Sequence, residues 1–262
     1  MSDVLTARSL GGLQIVQVQQ RSPFLNILAY GSSGTGKTVL AGSADAVPEM
    51  RPVLFVDIEG GTESLRNFYP DVECVRVVTW KDMQNVYNEL HRGKHDYRTV
   101  VLDSLTEIQK FNMYSIMEKL FAEKGETGKV DIDVPSMREW GRNLEQIRRF
   151  VRAFRDLQMH TIFTALERVD KDDRTGLTTI KPSLSGKMAD EVAAFLDLVM
   201  YYYVKDVKGE NDETITKRLL LTRKTAQHTA KDRSNKLPTV IESPDMKTIY
   251  NLMYPNYVFG SR

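Results

Sequence analysis

Cysteine is almost absent: Cys74 is the only one in 262 residues. A lone thiol cannot close an intrachain disulfide or build a Cys-based zinc site, and it fits a reducing compartment. Histidine is scarce as well, at positions 91, 95, 160 and 228. His91 and His95 have i, i+4 spacing, but no glutamate completes an H-E-x-x-H metal motif, so structural or surface roles are expected. No apolar run approaches the roughly 18 residues of a membrane helix, so no membrane partner is expected. The first residues, MSDVLTARSLGG, lack the basic-then-apolar order of a secretory leader, and the expected location is the cytoplasm. Charge of one sign is not in excess either: 36 basic residues face 35 acidic ones. A general polyanion binder would be far more basic, so any nucleic-acid contact must come from local patches.

What is present reads as an ordinary globular chain, long enough for one large α/β domain or two small ones. Apolar runs at 24–30, 53–56, 99–102 and 160–165 predict strands. Helical spacing covers 38–46, 81–92, 105–123, 136–158, 188–196 and 246–253. Strands that alternate with helices predict a mainly parallel sheet flanked by helices. Two further runs, 198–204 and 214–221, flank the turn KGENDE and predict an antiparallel extension at one edge. No repeat or linker is evident. The simplest division is an N-terminal extension at 1–22, holding a short strand candidate at 13–18 suited to a subunit contact, and one core at 23–262.

Three strand ends carry chemistry. GSSGTGKT, residues 31–38, fits G-x-x-x-x-G-K-[ST] between an apolar strand and a helix. Gly31, Ser32, Ser33, Gly34, Thr35, Gly36, Lys37 and Thr38 would wrap a nucleoside triphosphate, most simply ATP. The glycines let backbone N–H groups curl around phosphate without Cβ clashes. Lys37 would reach the β- and γ-phosphates, and the Thr38 hydroxyl would ligate Mg²⁺. TVVLDS ends in Asp103, placed to hold Mg²⁺ through its water shell. VLFVDIEGG puts Asp57 and Glu59 just past a strand C-terminus, where a carboxylate can orient and activate a water.

This order of motifs resembles the RecA-like P-loop ATPase core, with Glu59 at the place of the catalytic glutamate and Asp103-Ser104 at the Walker B strand end. No kinase lid or NKxD motif is present. GSSGTGKT, FVDIEGGTESL, VVLDSLTE, KPSLSGKMADEVAAFLDLVMYY and AKDRSNKLP look like the core-only phage proteins of the Sak single-strand annealing superfamily, its fourth branch. That resemblance spans about residues 24–240. It implies DNA-stimulated ATP hydrolysis, binding of single-stranded DNA, self-assembly into a ring or filament, and promotion of annealing or recombination. It also implies a host-cytoplasm location and a single-strand DNA-binding protein as a further partner. AKDRSN is similar to the KNRFG stretch of RadA, which would place Lys231 and Arg233 on the γ-phosphate of a neighbouring subunit's ATP and make them catalytic. A DNA-independent nucleotide switch or assembly ATPase with the same core, acting on protein partners, is the competing function.

The same resemblance places DNA-facing loops at 125–136 and 167–187. The second holds Arg168, Lys171, Arg174, Lys181 and Lys187 against Glu167, Asp170, Asp172 and Asp173, so charge alone does not make it a DNA site. Where RecA cores end the preceding strand in a glutamine that senses the γ-phosphate, TIFTALER has Leu166. Glu167 or Thr164 would take over, or the coupling differs. Arg138, Arg142, Arg149 and Arg152 could share a helix face, read as solvated or subunit-contacting before DNA-binding. Tyr201, Tyr202 and Tyr203 resemble a base-stacking platform, but strand alternation sends them to opposite faces.

Overall fold

The computed structural model of the chain describes residues 9–15, 24–124, 130–171, 174, 176–209 and 212–255. A small antiparallel pair comes first, β1 (Ser9–Leu10) with β2 (Leu13–Gln14). It forms its own sheet. The strand expected over 13–18 is thus seen only in its first two residues, and 16–18 lie outside the described residues.

The core begins with β3 (Asn26–Gly31) and α1 (Lys37–Gly42), which continues as a 3-10 turn to Ala46. Then come β4 (Val53–Asp57), β5 (Glu73–Arg76), α2 (Trp80–Arg92), β6 (Thr99–Asp103), α3 (Leu105–Lys124) and α4 (Met137–Arg155). The chain goes on through β7 (His160–Lys171), β8 (Thr178–Pro182), α5 (Met188–Phe195), β9 (Leu198–Lys208) and β10 (Thr214–Leu221). It ends with β11 (Lys231–Asp232), β12 (Val240–Glu242) and α6 (Met246–Met253).

Local sequence accounts for the helix ends. Thr79 and Asp82 form a reciprocal capping box at α2, and Ser136 and Glu139 do so at α4. Gly93 stops α2 in the left-handed region at φ 67°. Asp245 caps α6 by accepting from the Thr248 N–H at 2.6 Å.

The main sheet runs in the order β12-β10-β9-β3-β7-β6-β4-β5. The six strands from β9 to β5 are parallel. β10 and β12 add the antiparallel edge, β11 pairs with the start of β9, and β8 folds back on the end of β7. The α/β architecture expected from the motif spacing is the one observed. β3 and β6 are buried along their whole length, which is why both read as continuous apolar runs rather than alternations. One core lies between the sheet and α2, α3, α4 and α5; the other lies under α1 and α6. Tyr201 and Tyr203 stack at 5.3 Å on the first face, while Tyr202 packs in the second core. The alternation argument against a stacking platform therefore holds.

At 167–187, where a DNA-facing loop and an ordinary β-hairpin are the alternatives, the structure has the hairpin. β7 continues well past Ala165 to Lys171 and returns as β8, so most of this segment is a β-hairpin. Its strands are mostly half-buried and carry charges on both faces, which erased the apolar signal. β5 and β12 escaped notice because they are short and largely exposed.

His160 opens β7 fully buried, and its Nδ1 accepts the Leu25 N–H at 3.0 Å. Burial, with a smaller contribution from the Arg98 charge, pushes its pKa down to about 3. The unfolded chain takes up a proton near pH 6.5 while the folded one does not. Stability is therefore complete above that pH and declines as pH falls toward 3, by about 1.4 kcal/mol per pH unit at most. Urea unfolding should give a free energy roughly 2 kcal/mol lower at pH 5 than at pH 7.5 in the wild type, and a visibly flatter profile in His160→Gln. Parallel profiles for the two proteins would refute this role for His160.

Candidate active site

The loop after β3 is shaped by its neighbours. Gly31 is pressed against β9: a Cβ there would lie 2.0 Å from the Tyr202 carbonyl oxygen. Gly34 and Gly36 hold φ of 77° and 101°, a region that L side chains avoid. The buried Thr35 hydroxyl donates to Ser32 O at 3.0 Å and closes the loop on itself. Ser32, Ser33 and Gly34 are exposed at its tip. Lys37 begins α1, and its Nζ donates to Gly31 O at 3.0 Å and Ser32 O at 2.7 Å. Burial lowers the Lys37 pKa, opposed by the charges of Asp103, Glu59 and Glu167. Those three carboxylates mark out the side of the loop where a further cation would be welcome.

Asp103 ends β6 directly beneath the loop. Its Oδ2 accepts the Thr38 hydroxyl at 2.7 Å, and its Oδ1 accepts the Thr164 hydroxyl from β7. Burial raises its pKa, while the bonds from Thr164 and Thr38 and the Lys37 charge pull the other way. Thr38 and Asp103 are therefore in register for one hard cation. A hydroxyl and a carboxylate are the oxygen donors Mg²⁺ prefers, with phosphate and water completing its shell. Among the described residues no cluster of three or more His, Cys, Asp or Glu forms an all-protein metal cage.

The D-x-E segment divides into two roles. Asp57 accepts the N–H groups of Gly60 (2.7 Å) and Gly61 (3.2 Å), the Thr62 hydroxyl, and Arg76 at 3.2 Å. It organises the turn. Ile58 N and Glu59 N donate to Asp103 O at 3.0 and 3.3 Å, which fastens that turn to the end of β6. Glu59 is left exposed, with one carboxylate oxygen accepting the Ser104 hydroxyl. Ser104 as the orienter of Glu59 was not foreseen; its place directly after Asp103 was the only available signal.

The position beside Leu166 is also settled in geometry. Leu166 N donates to the Thr106 hydroxyl at 3.0 Å, and its carbonyl accepts Ser183 N at 2.7 Å. Thr164 points to Asp103, and the Glu167 carboxylate accepts the Ser32 hydroxyl at 2.5 Å. Both residues weighed as stand-ins for a glutamine thus reach the site, from opposite ends: one through the metal-side carboxylate, the other through the loop tip.

Residues 24–234 match a family of AAA domains, AAA_24. The chain belongs to this family. It is a P-loop ATPase of the RecA-like type. Solved structures similar to this AAA_24 protein include the flagellar accessory protein FlaH of Methanocaldococcus jannaschii, at 12% identity over 83% of this chain and 84% of that one, TM-score 0.45. The ATPase EscN of the enteropathogenic E. coli type III secretion system is 18% identical over 68% of this chain and 43% of its own, TM-score 0.40. The Legionella pneumophila ATPase DotB is 11% identical over 76% and 45%, TM-score 0.32. The chain thus spans less than half of EscN and of DotB. No curated protein matches it. No helix among the described residues is long and apolar enough to cross a membrane.

Lys231 and Arg233 of the AAA_24 domain are far from its own phosphate loop. Lys231 pairs with Val199, which is level with Leu28, three residues short of Gly31 and two strands aside. That is roughly 10 Å in each direction. Its Nζ donates to Ala193 O (2.6 Å) and Leu196 O (3.0 Å), closing the C-terminal end of α5. Arg233 lies lower still: its N–H donates to Asp197 O, and Asp197 N donates to Asn26 O. Its exposed guanidinium pairs with Asp197 at 2.6 Å. Of the face proposed for α4, Arg149 and Arg152 are engaged within the chain, while Arg138 and Arg142 have no ion pair among the described residues. The neighbouring Arg148 and Arg155 are engaged too. Arg148 bridges Glu145 and Glu191, Arg149 meets Glu145, Arg155 meets Asp156, and Arg152 lies 4.4 Å over the Phe195 ring.

Proposed function

We propose that this chain hydrolyses ATP on residues 31–38 and couples the hydrolysis to single-stranded DNA, promoting annealing or recombination as a self-assembling protein of residues 23–262 with an N-terminal extension. The bond from Ser32 to Glu167 is the observation that carries the coupling. It ties the tip of the phosphate loop to the root of the β7–β8 hairpin, so one element touches both the nucleotide and the surface offered to a polyanion.

In this reading the loop's N–H groups and Lys37 hold the β- and γ-phosphates. Thr38 and Asp103 would hold Mg²⁺, which when bound neutralises charge on the phosphate oxygens. Glu59, oriented by Ser104, accepts a proton from water as its oxygen bonds to the γ-phosphorus and the bond to the bridging oxygen of ADP breaks. Lys231 and Arg233 cannot serve their own loop. In a head-to-tail assembly that opposite pole would meet a neighbour's loop, and Arg233 would stabilise charge on its γ-phosphate. Assembly would then switch on hydrolysis.

A second reading, a DNA-independent assembly ATPase, has one observation in its favour. Two of the hairpin's cations are neutralised internally, Arg168 by Asp170 and Lys181 by Asp190. Lys171 and Lys187 have no ion pair among the described residues. The two functions separate in one assay. ATP turnover should rise at least about fivefold with single-stranded DNA, and DNA retention should fall steeply as salt rises from about 50 to 200 mM. Flat turnover and no retention at the lower salt would leave only the second reading.

A further inference from the structure

Among the described residues, Arg218 is a cation at the loop that neither the motif nor the roles above account for. It stands on β10, opposite Val204 of β9, with its carbonyl accepting Ser243 N at 2.9 Å. Its backbone is therefore fixed between two strands. Its exposed side chain crosses to the phosphate loop. The guanidinium Nε lies 3.5 Å from the point a Cβ on Gly36 would occupy, and the Tyr202 ring and hydroxyl lie 3.6 Å from the same point. The next residue, Lys217, is neutralised by Glu242 at 2.7 Å. Arg218 has no ion pair or side-chain hydrogen bond among the described residues. An arginine held on a paired strand beside Gly36 of the loop, with no carboxylate of its own, is an anion ligand in waiting.

The flank on which it stands says which part of the nucleotide it meets. Asp103, Thr164 and Glu59 come from β6, β7 and the end of β4, all on one side of β3 in the sheet. They fix the γ-phosphate and metal end. β9 and β10 lie on the other side of β3. A triphosphate laid across the loop from Glu59 therefore runs toward Arg218 with its nucleoside end. We infer that Arg218 is a nucleotide-binding residue supplied in cis, whose guanidinium holds the α-phosphate and ribose end of the nucleotide, with the buried Tyr202 ring as its support. This inference rests on the ATPase reading of residues 31–38 and adds a contact outside the motif.

A ligand at that end is shared by ATP and ADP, and it stays put while the γ-phosphate reacts. Its removal takes away uniform binding rather than transition-state stabilisation. Titration of the fluorescent analogues mant-ADP and mant-ATP into wild type, Arg218→Ala and Arg218→Lys tests this, with steady-state kinetics beside it. Arg218→Ala should weaken both nucleotides about tenfold and raise KM to match, with kcat at saturation within about twofold. Lysine, a point charge without the fork, should recover part of the loss. Unchanged affinity for mant-ADP overturns the inference. So does weaker ATP with unaltered ADP, which would put the guanidinium at the γ end, or a fall in kcat at unaltered affinity. Loss of DNA retention with nucleotide affinity intact overturns it as well. Thermal unfolding of the variants guards against misfolding. A wild type that binds neither analogue would sink the ATPase reading itself, a result distinct from all of these.

Discussion

Glu59→Gln is expected to lower ATP turnover by about 10²–10⁴-fold while nucleotide affinity stays within about twofold. The change removes a proton acceptor and preserves size, so the turn held by Asp57 and by the Asp103 carbonyl should survive it. The Ser104 hydroxyl can still donate to the amide oxygen, so the side chain keeps its aim. Only its basicity is lost. Mant-ATP titration with single-turnover hydrolysis separates the two quantities. Turnover above about one tenth of wild type would mean that another group accepts the proton, and Glu167 would then be the next carboxylate to test. Ser104→Ala should lie between the two, since it frees Glu59 to rotate without changing its charge.

Arg233→Ala is expected to cut turnover of the assembled protein by about 10³-fold, in the range of arginines supplied in trans, and to leave nucleotide binding by the separate chain unchanged. The position of Arg233, level with the start of β3, forbids any role at its own phosphate loop. The decisive experiment mixes two inactive proteins. Arg233→Ala retains an intact loop, and Lys37→Ala retains an intact arginine. In a head-to-tail assembly, some interfaces of the mixture combine both working halves and recover activity. No recovery from the mixture would eliminate the in-trans role. A second outcome would do the same: Arg233→Ala with a lower melting temperature but full turnover per folded molecule. That would assign the residue to the Asp197 pair and nothing more.

Most of this site could be read before any coordinates, for a physical reason. The phosphate loop, the D-x-E turn and the strand-end aspartate are local: each depends on a few consecutive residues at the end of a buried apolar strand, and such strands announce themselves. What could not be read depends on which strands are neighbours. Thr164 matters because β7 lies beside β6, and Arg218 because β10 folds back over β9 toward the loop. Neither residue type nor spacing encodes that. The strand bounds of the β7–β8 hairpin, itself one of the alternatives for 167–187, were hidden for the opposite reason. Its strands bury too little to need an apolar face, and their pairing is satisfied by backbone bonds that any polar sequence can make. Lys231, assigned through its resemblance to a basic motif, has a local task that the motif does not show, since its ammonium closes the carbonyl end of α5.

The approach of the Tyr202 carbonyl to Gly31 also changes what the motif's first glycine is for. That residue is demanded by the adjoining strand before any phosphate is considered. A phosphate loop grafted here from another protein would be accepted or rejected on the size of its first residue, whatever the quality of its phosphate contacts. A graft with even a methyl group at that position would have to lever β9 away from β3, and with it the whole antiparallel edge. Transplant success at this locus is thus a question of strand spacing, decided at the backbone seam between β3 and β9 rather than by contacts to phosphate.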